Sequence, residues 1–82
     1  MAIKQVVMIQ ANTTTGQVKP LRFRIAGRSI DIDRIITFKE EKSAGFVWLV
    51  YEAESIVDDR LHRYKLKFDT HARKWYFIGG PS

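Results

Sequence analysis

Period-two alternation is the feature that most constrains this chain. Leu21, Phe23 and Ile25 alternate with Arg22 and Arg24, and Tyr64, Leu66 and Phe68 alternate with Lys65 and Lys67. Successive side chains of an extended strand point to opposite faces, so each run gives one apolar and one charged face. β-Branched and aromatic residues fill the runs, and turn residues separate them. Strands are expected near residues 3–12, 18–26, 29–40, 46–57, 60–69 and 74–79. Residues 34–42 also have helical character through Glu40, Glu41 and Lys42, but Ile35, Ile36, Thr37 and Phe38 favour a strand.

Cross-strand pairing refines the hairpins. With Gly27-Arg28 as a two-residue loop, Ile25 faces Ile30, Arg24 faces Asp31, Phe23 faces Ile32 and Arg22 faces Asp33. Moving the loop to Ala26-Gly27 sets Ile25 against Arg28 and Arg24 against Ser29, so the first register is preferred. With Asp58-Asp59 as a loop, Glu54 faces Arg63, Glu52 faces Lys65, Tyr51 faces Leu66 and Leu49 faces Phe68. A loop over residues 70–73 then sets Asp69 against Lys74, Phe68 against Trp75 and Leu66 against Phe77. Apolar residues meet apolar ones and unlike charges meet across each pair, which stabilises antiparallel pairing.

The first strand is ambiguous. Ile3, Val7 and Ile9 share one face and Val6 and Met8 the other, so it either buries both faces or covers an edge. A twisted meander of such strands curls, and closing on itself shields its edges. The expected fold is all-β: a small antiparallel meander of five or six strands rolled into a partly open β-barrel. It occupies residues 1–82 as one domain, with residues 79–82 as a loose tail.

Several function classes are excluded or disfavoured. The chain has no cysteine, so disulfides, thiol catalysis and Cys-based zinc sites are out. Its N-terminal apolar run, Val6 to Ile9, is shorter than the roughly 7–15 residues of a signal peptide or the roughly 20 of a membrane helix. A soluble, cytoplasmic chain without a membrane partner is expected. His62 and His71 share no ligand spacing, and neither a metal nor a cofactor is expected.

The carboxylate pairs Asp31/Asp33 and Glu52/Glu54 face cations, which would hold them ionised rather than drive their pKa values apart for acid–base work. Asp58-Asp59 reads as turn chemistry. Ser29, Ser43 and Ser55 lack a nucleophile-elbow context, and Gly16, Gly27 and Gly45 read as turn glycines rather than a phosphate loop. No catalytic residue is assigned, and no enzyme is expected.

The net charge of +5 suggests an anionic partner, a nucleic acid or an acidic protein. It is unevenly spread. Residues 1–29 hold five cations and no carboxylate, residues 30–59 hold three cations against eight carboxylates, and residues 60–82 hold six against one. The expected registers pair Arg22, Arg24, Arg63 and Lys65 internally. They leave Lys4, Lys19, Arg28, Arg60, Lys67 and Arg73 without partners.

The candidate site follows from the same registers. Trp48 and Tyr76 fall outside the main core, interleaved with Lys65 and Lys67, with Arg60 and Arg73 in or beside turns. Rings beside cations on a sheet can stack bases and track phosphates, so these six residues are expected to bind single-stranded nucleic acid. Two alternatives compete. Trp48, Val50, Tyr76 and Ile78 could dock a protein partner or a second copy, or strand 1 could cover them as a second small core.

Pro20, Phe23, Gly27, Arg28, Ile32 and Ile35, followed by Tyr64, Trp75 and Phe77, resemble a short uncharacterised bacterial domain. That domain is sometimes found beside or within proteins related to translesion DNA polymerases. The resemblance covers residues 20–78. Ile30 and Phe38 depart from it, standing where larger aromatics would be expected. It implies nucleic-acid-related work and assigns no catalytic residue.

Overall fold

A computed structural model describes residues 3–12 and 18–79. They form seven strands: β1 (Ile3–Asn12), β2 (Val18–Ile25), β3 (Arg28–Asp31), β4 (Arg34–Ser43), β5 (Phe46–Val57), β6 (Arg60–Asp69) and β7 (Lys74–Ile78). All pairings are antiparallel in one sheet of order β3-β2-β1-β7-β6-β5-β4, which rolls without closing. The all-β, partly open barrel expected from the alternation is the fold observed. Among the described residues no helix is long and apolar enough to cross a membrane. The turn expected at Gly16 and the tail beyond residue 79 lie outside the described residues.

The expected strand over residues 29–40 is divided into β3 and β4 by a bend at Ile32 and Asp33. The Ile32 amide donates to the Leu21 carbonyl of β2 at 2.9 Å, and the next amide, of Asp33, donates to the Glu54 carbonyl of β5 at 2.9 Å. One length of chain thus passes from the β2 side of the roll to the β5 side. Ser55 Oγ donates to the Asp31 carbonyl at 2.6 Å, and the Ile56 amide donates to Asp33 Oδ2 at 2.8 Å, fastening the bend to β5. The Tyr51 hydroxyl donates to the Val18 carbonyl, joining β5 to β2 across the roll.

Helix propensity in residues 40–42 gives way to pairing along β4, from Arg34↔Glu54 to Ser43↔Phe46. The β5–β6 and β6–β7 registers are those expected from cross-strand pairing. The β2–β3 register is not. Its partners are Ile25↔Arg28, Arg24↔Ser29, Phe23↔Ile30 and Arg22↔Asp31, so the loop lies one residue earlier than expected and every partner is shifted by two. The loop is Ala26-Gly27, with φ of 51° and 78°. Positive φ at both loop residues gives the turn whose twist matches the flanking strands, and that local geometry outweighs the less favourable Ile25–Arg28 pair. Ala44-Gly45 and Asp58-Asp59 repeat the pattern.

Leu21 is a second correction. Gln10 pairs with Pro20 and Ile9 with Arg22, so Leu21 is the extra residue of a β-bulge. The bulge shifts the alternation, burying Pro20 and Phe23 and leaving Leu21 40% exposed. β1 neither covers an edge nor buries both faces. It lies inside the sheet between β2 and β7, with Val6 in the core and Ile3, Val7 and Ile9 exposed.

The core is Val6, Phe23, Tyr51, Ala53, Tyr64, Leu66, Phe68 and Trp75. Ring contacts run through it: Phe68–Trp75 at 4.8 Å, Tyr51–Trp75 at 5.4 Å, Phe23–Tyr64 at 5.4 Å and Tyr64–Phe77 at 5.4 Å. Its polar atoms have partners. Trp75 Nε1 donates to Gln10 Oε1 at 2.6 Å. The Ser55 hydroxyl proton goes to the Asp31 carbonyl, so the Tyr64 hydroxyl is the donor to Ser55 Oγ.

Candidate nucleic-acid interface

The outer faces of β4–β7 bring three of the six expected residues together. Trp48 and Tyr76 pack with ring centroids 6.0 Å apart, and Lys67 Nζ lies 5.0 Å from the Trp48 ring. Glu41, directly opposite Trp48 on β4, binds Lys39 Nζ at 3.2 Å and Lys67 Nζ at 3.6 Å. The hydrogen bond from Lys39 is the main reason the Glu41 carboxyl sits below its ordinary pKa. Desolvation opposes the shift, and the charges of Lys67 and Lys39 add to it.

This arrangement covers apolar surface. Val50 points outward yet is only 5% exposed, and Trp48 and Tyr76 are half-buried. The cluster is a second small core formed by its own side chains, capped by Lys67 and Glu41. β1 does not cover it, since β1 continues the same sheet beside β7. Lys67, expected to be unpartnered, is held between a carboxylate and a ring.

The other three residues are placed differently. Lys65 is exposed, opposite Glu52 and Ile78. Arg73 is exposed in the β6–β7 turn at φ 59°, its amide bound to the Asp69 carbonyl at 2.7 Å. Asp69 Oδ1 organises that turn by accepting the amides of His71 at 2.9 Å and Ala72 at 3.1 Å. Arg60 begins β6 while Asp69 ends it, and a strand rise of about 3.3 Å per residue puts the two ends ~30 Å apart. Arg60 does not join the outer cluster.

Arg60 belongs to a different constellation, at the seam where the β2–β3 and β5–β6 hairpins face each other. A cleft of about 830 Å³ opens there. Ile30, Val57, Leu61 and Phe77 line it above Phe23 and Tyr64, and Arg28, Arg60, His62 and Arg63 add basic groups, with Asp58 the one carboxylate among the described lining residues. Arg28 Nη2 lies 3.8 Å from Asp58 Oδ2, a loose contact between exposed groups that contributes little. Arg63 is committed to Glu54, with Nη2 2.8 Å and Nε 3.3 Å from Oε2. Among the described residues no carboxylate lies within 4.0 Å of Arg60.

The cleft floor is stiffened by the Tyr64–Ser55–Asp31 hydrogen-bond chain. Burial is the main cause that raises the Tyr64 hydroxyl above its ordinary pKa. The Asp33 charge adds to it. Tyr64 is therefore a neutral donor at physiological pH. Among the described residues no group of three His, Asp or Glu side chains could hold a metal ion.

Sequence reasoning missed Arg28, His62 and Arg63 as neighbours of Arg60. The available signal was a cation immediately following each of two hairpin loops, Arg28 after Ala26-Gly27 and Arg60 after Asp58-Asp59. Placing Arg28 inside the loop concealed it. No family model matches the chain, and neither does any curated protein or solved structure.

Proposed function

We propose that this domain is a non-enzymatic, cytoplasmic module that binds single-stranded nucleic acid, with the seam cleft as its principal contact. The observation that carries this reading is the grouping of Arg28, Arg60, His62 and Arg63 around walls formed by Ile30, Val57, Leu61 and Phe77. Arg60 and Arg28 contact phosphates. Neither is strongly bound to a carboxylate, so little existing interaction is lost on binding. The apolar walls take sugar and base surface, and guanidinium planes can stack on unpaired bases. The outer group of Trp48, Lys65, Lys67, Arg73 and Tyr76 is a weaker auxiliary contact, because Lys67 is already occupied by Glu41. The resemblance of residues 20–78 to a domain associated with translesion polymerases points the same way.

Fluorescence anisotropy with a labelled 15-nucleotide single strand tests the proposal. Binding is expected at low salt and to weaken as salt rises. Each phosphate contact contributes about −0.7 to the slope of log K against log salt, so two contacts give about −1.4. The double variant Arg28→Glu/Arg60→Glu should abolish binding. Absence of binding by the wild-type chain at low salt, or wild-type affinity in the double variant, overturns the assignment.

A further inference from the structure

A second surface, independent of the cleft, is marked by where the sheet breaks its own pattern. An antiparallel sheet with one solvated face carries polar residues outward. β6 does so with Arg63, Lys65 and Lys67. β1, an interior strand, instead presents Ile3, Gln5, Val7 and Ile9, with the three aliphatics 62%, 69% and 54% exposed. Leu21 extends this row on β2 through its bulge, and Ile78 extends it on β7 opposite Ile3.

The strands that carry the row bear charge of one sign among the described residues. Outward positions of β2 and β7 carry Lys19, Arg22, Arg24 and Lys74, and those of β1, β2 and β7 carry no carboxylate among the described residues. Arg22, beside Ile9, is bound to Asp31 of β3. Arg24 stands beside Val7 and opposite Ser29, and among the described residues makes no ion pair. A second copy laid on this face would bring the same cations against these, and like charges facing each other disfavour that pairing. Rows of β-branched side chains form the flat apolar layer on which a helix packs in two-layer architectures. Ile3 to Ile9 spans about 20 Å along the strand, the length of about three and a half helical turns.

We infer that the outer face of β1 and β2 docks an acidic amphipathic helix of a protein partner, its apolar stripe on Ile3, Val7 and Ile9 and its carboxylates on Arg24 and Lys19. The test uses the full chain with labelled isoleucine and valine methyls and two synthetic helical peptides. The peptides share one leucine stripe, flanked by glutamates in one and by lysines in the other. The Glu-flanked peptide is expected to shift the methyl signals of Ile3, Val7 and Ile9 and to bind at least tenfold more tightly than the Lys-flanked peptide. Val7→Thr/Ile9→Thr, at exposed positions that leave the core intact, should weaken it tenfold or more without changing single-strand binding. Arg28→Glu/Arg60→Glu should leave peptide binding unchanged. The inference is overturned if both peptides bind equally or neither binds. It is also overturned if the β1 methyls respond instead to protein concentration, to anionic phosphatidylglycerol vesicles or to the single strand.

Discussion

Ile32 and Asp33 are consecutive, yet their amides donate to strands that are not neighbours in the sheet, Leu21 of β2 and Glu54 of β5, each at 2.9 Å. This hand-over gives the meander its roll. It also sets the cleft, because it fixes how closely the β2–β3 hairpin approaches the β5–β6 hairpin. Asp33→Ala removes the acceptor of the Ile56 amide and should cost about 1 kcal/mol, the typical net worth of one hydrogen bond, measured by urea unfolding.

The chain of hydroxyls behind the bend predicts an asymmetry. Ser55→Ala strands the buried Tyr64 hydroxyl without its acceptor and should cost about 1–3 kcal/mol. Tyr64→Phe leaves Ser55 still bonded to the Asp31 carbonyl and should cost less, about 1 kcal/mol. Equilibrium unfolding of both variants checks the order.

Tyr64 also gives a pH dependence with a definite sign. Its folded pKa is raised, chiefly by burial, so the neutral hydroxyl is favoured in the folded state. The stabilisation is fully present below the unfolded tyrosine pKa of about 10 and is lost as pH rises through the higher folded value. The wild-type chain should therefore lose more thermal stability than Tyr64→Phe between about pH 9.5 and 11.5. Melting curves across that range show it.

Correct placement of Leu21 has a direct test. Phe23→Ala empties a fully buried site and should cost about 3–5 kcal/mol, enough to unfold most of a domain this small. Leu21→Gln, at the bulge two residues earlier, should change stability by no more than about 0.5 kcal/mol. Strict alternation through β2 predicts equal damage, so chemical denaturation separates the two descriptions.

The turns offer a gain rather than a loss. Ala26 and Ala44 hold φ of 51° and 50° before Gly27 and Gly45, a conformation disfavoured for alanine. Asn-Gly is the preferred pair for such loops, so Ala26→Asn and Ala44→Asn should each stabilise the fold by about 0.5–1 kcal/mol in urea.

Legibility in the sequence followed the range of the determining interaction. β5, β6 and β7 were readable because each register is fixed by many cross-strand pairs, and Glu54–Arg63, Glu52–Lys65 and Phe68–Trp75 agree on one answer. β2–β3 was misread because two registers both set Phe23 against an isoleucine and Arg22 against an aspartate. Turn twist, which pair matching does not weigh, decided between them. Trp48, Lys67 and Tyr76 come together through the β5–β6 and β6–β7 pairings, but Glu41 reaches Lys67 only through the separate β4–β5 pairing, so the neutralisation of Lys67 is not legible from the last three strands. The Arg28–Arg60 cleft depends on the roll itself, a property of the whole sheet that no single hairpin encodes.

The hand-over at residues 32 and 33 has one more consequence. β3 and β4 are the two outermost strands of the sheet, and they are successive lengths of the same chain segment. Both unpaired borders therefore reside in residues 28–43, a stretch in which eight of sixteen side chains are charged. Exposed borders recruit other chains into fibres unless charge deters them. Resistance to templated fibril growth is thus concentrated in one short segment, where losing a few lysines and glutamates would unguard both borders at once.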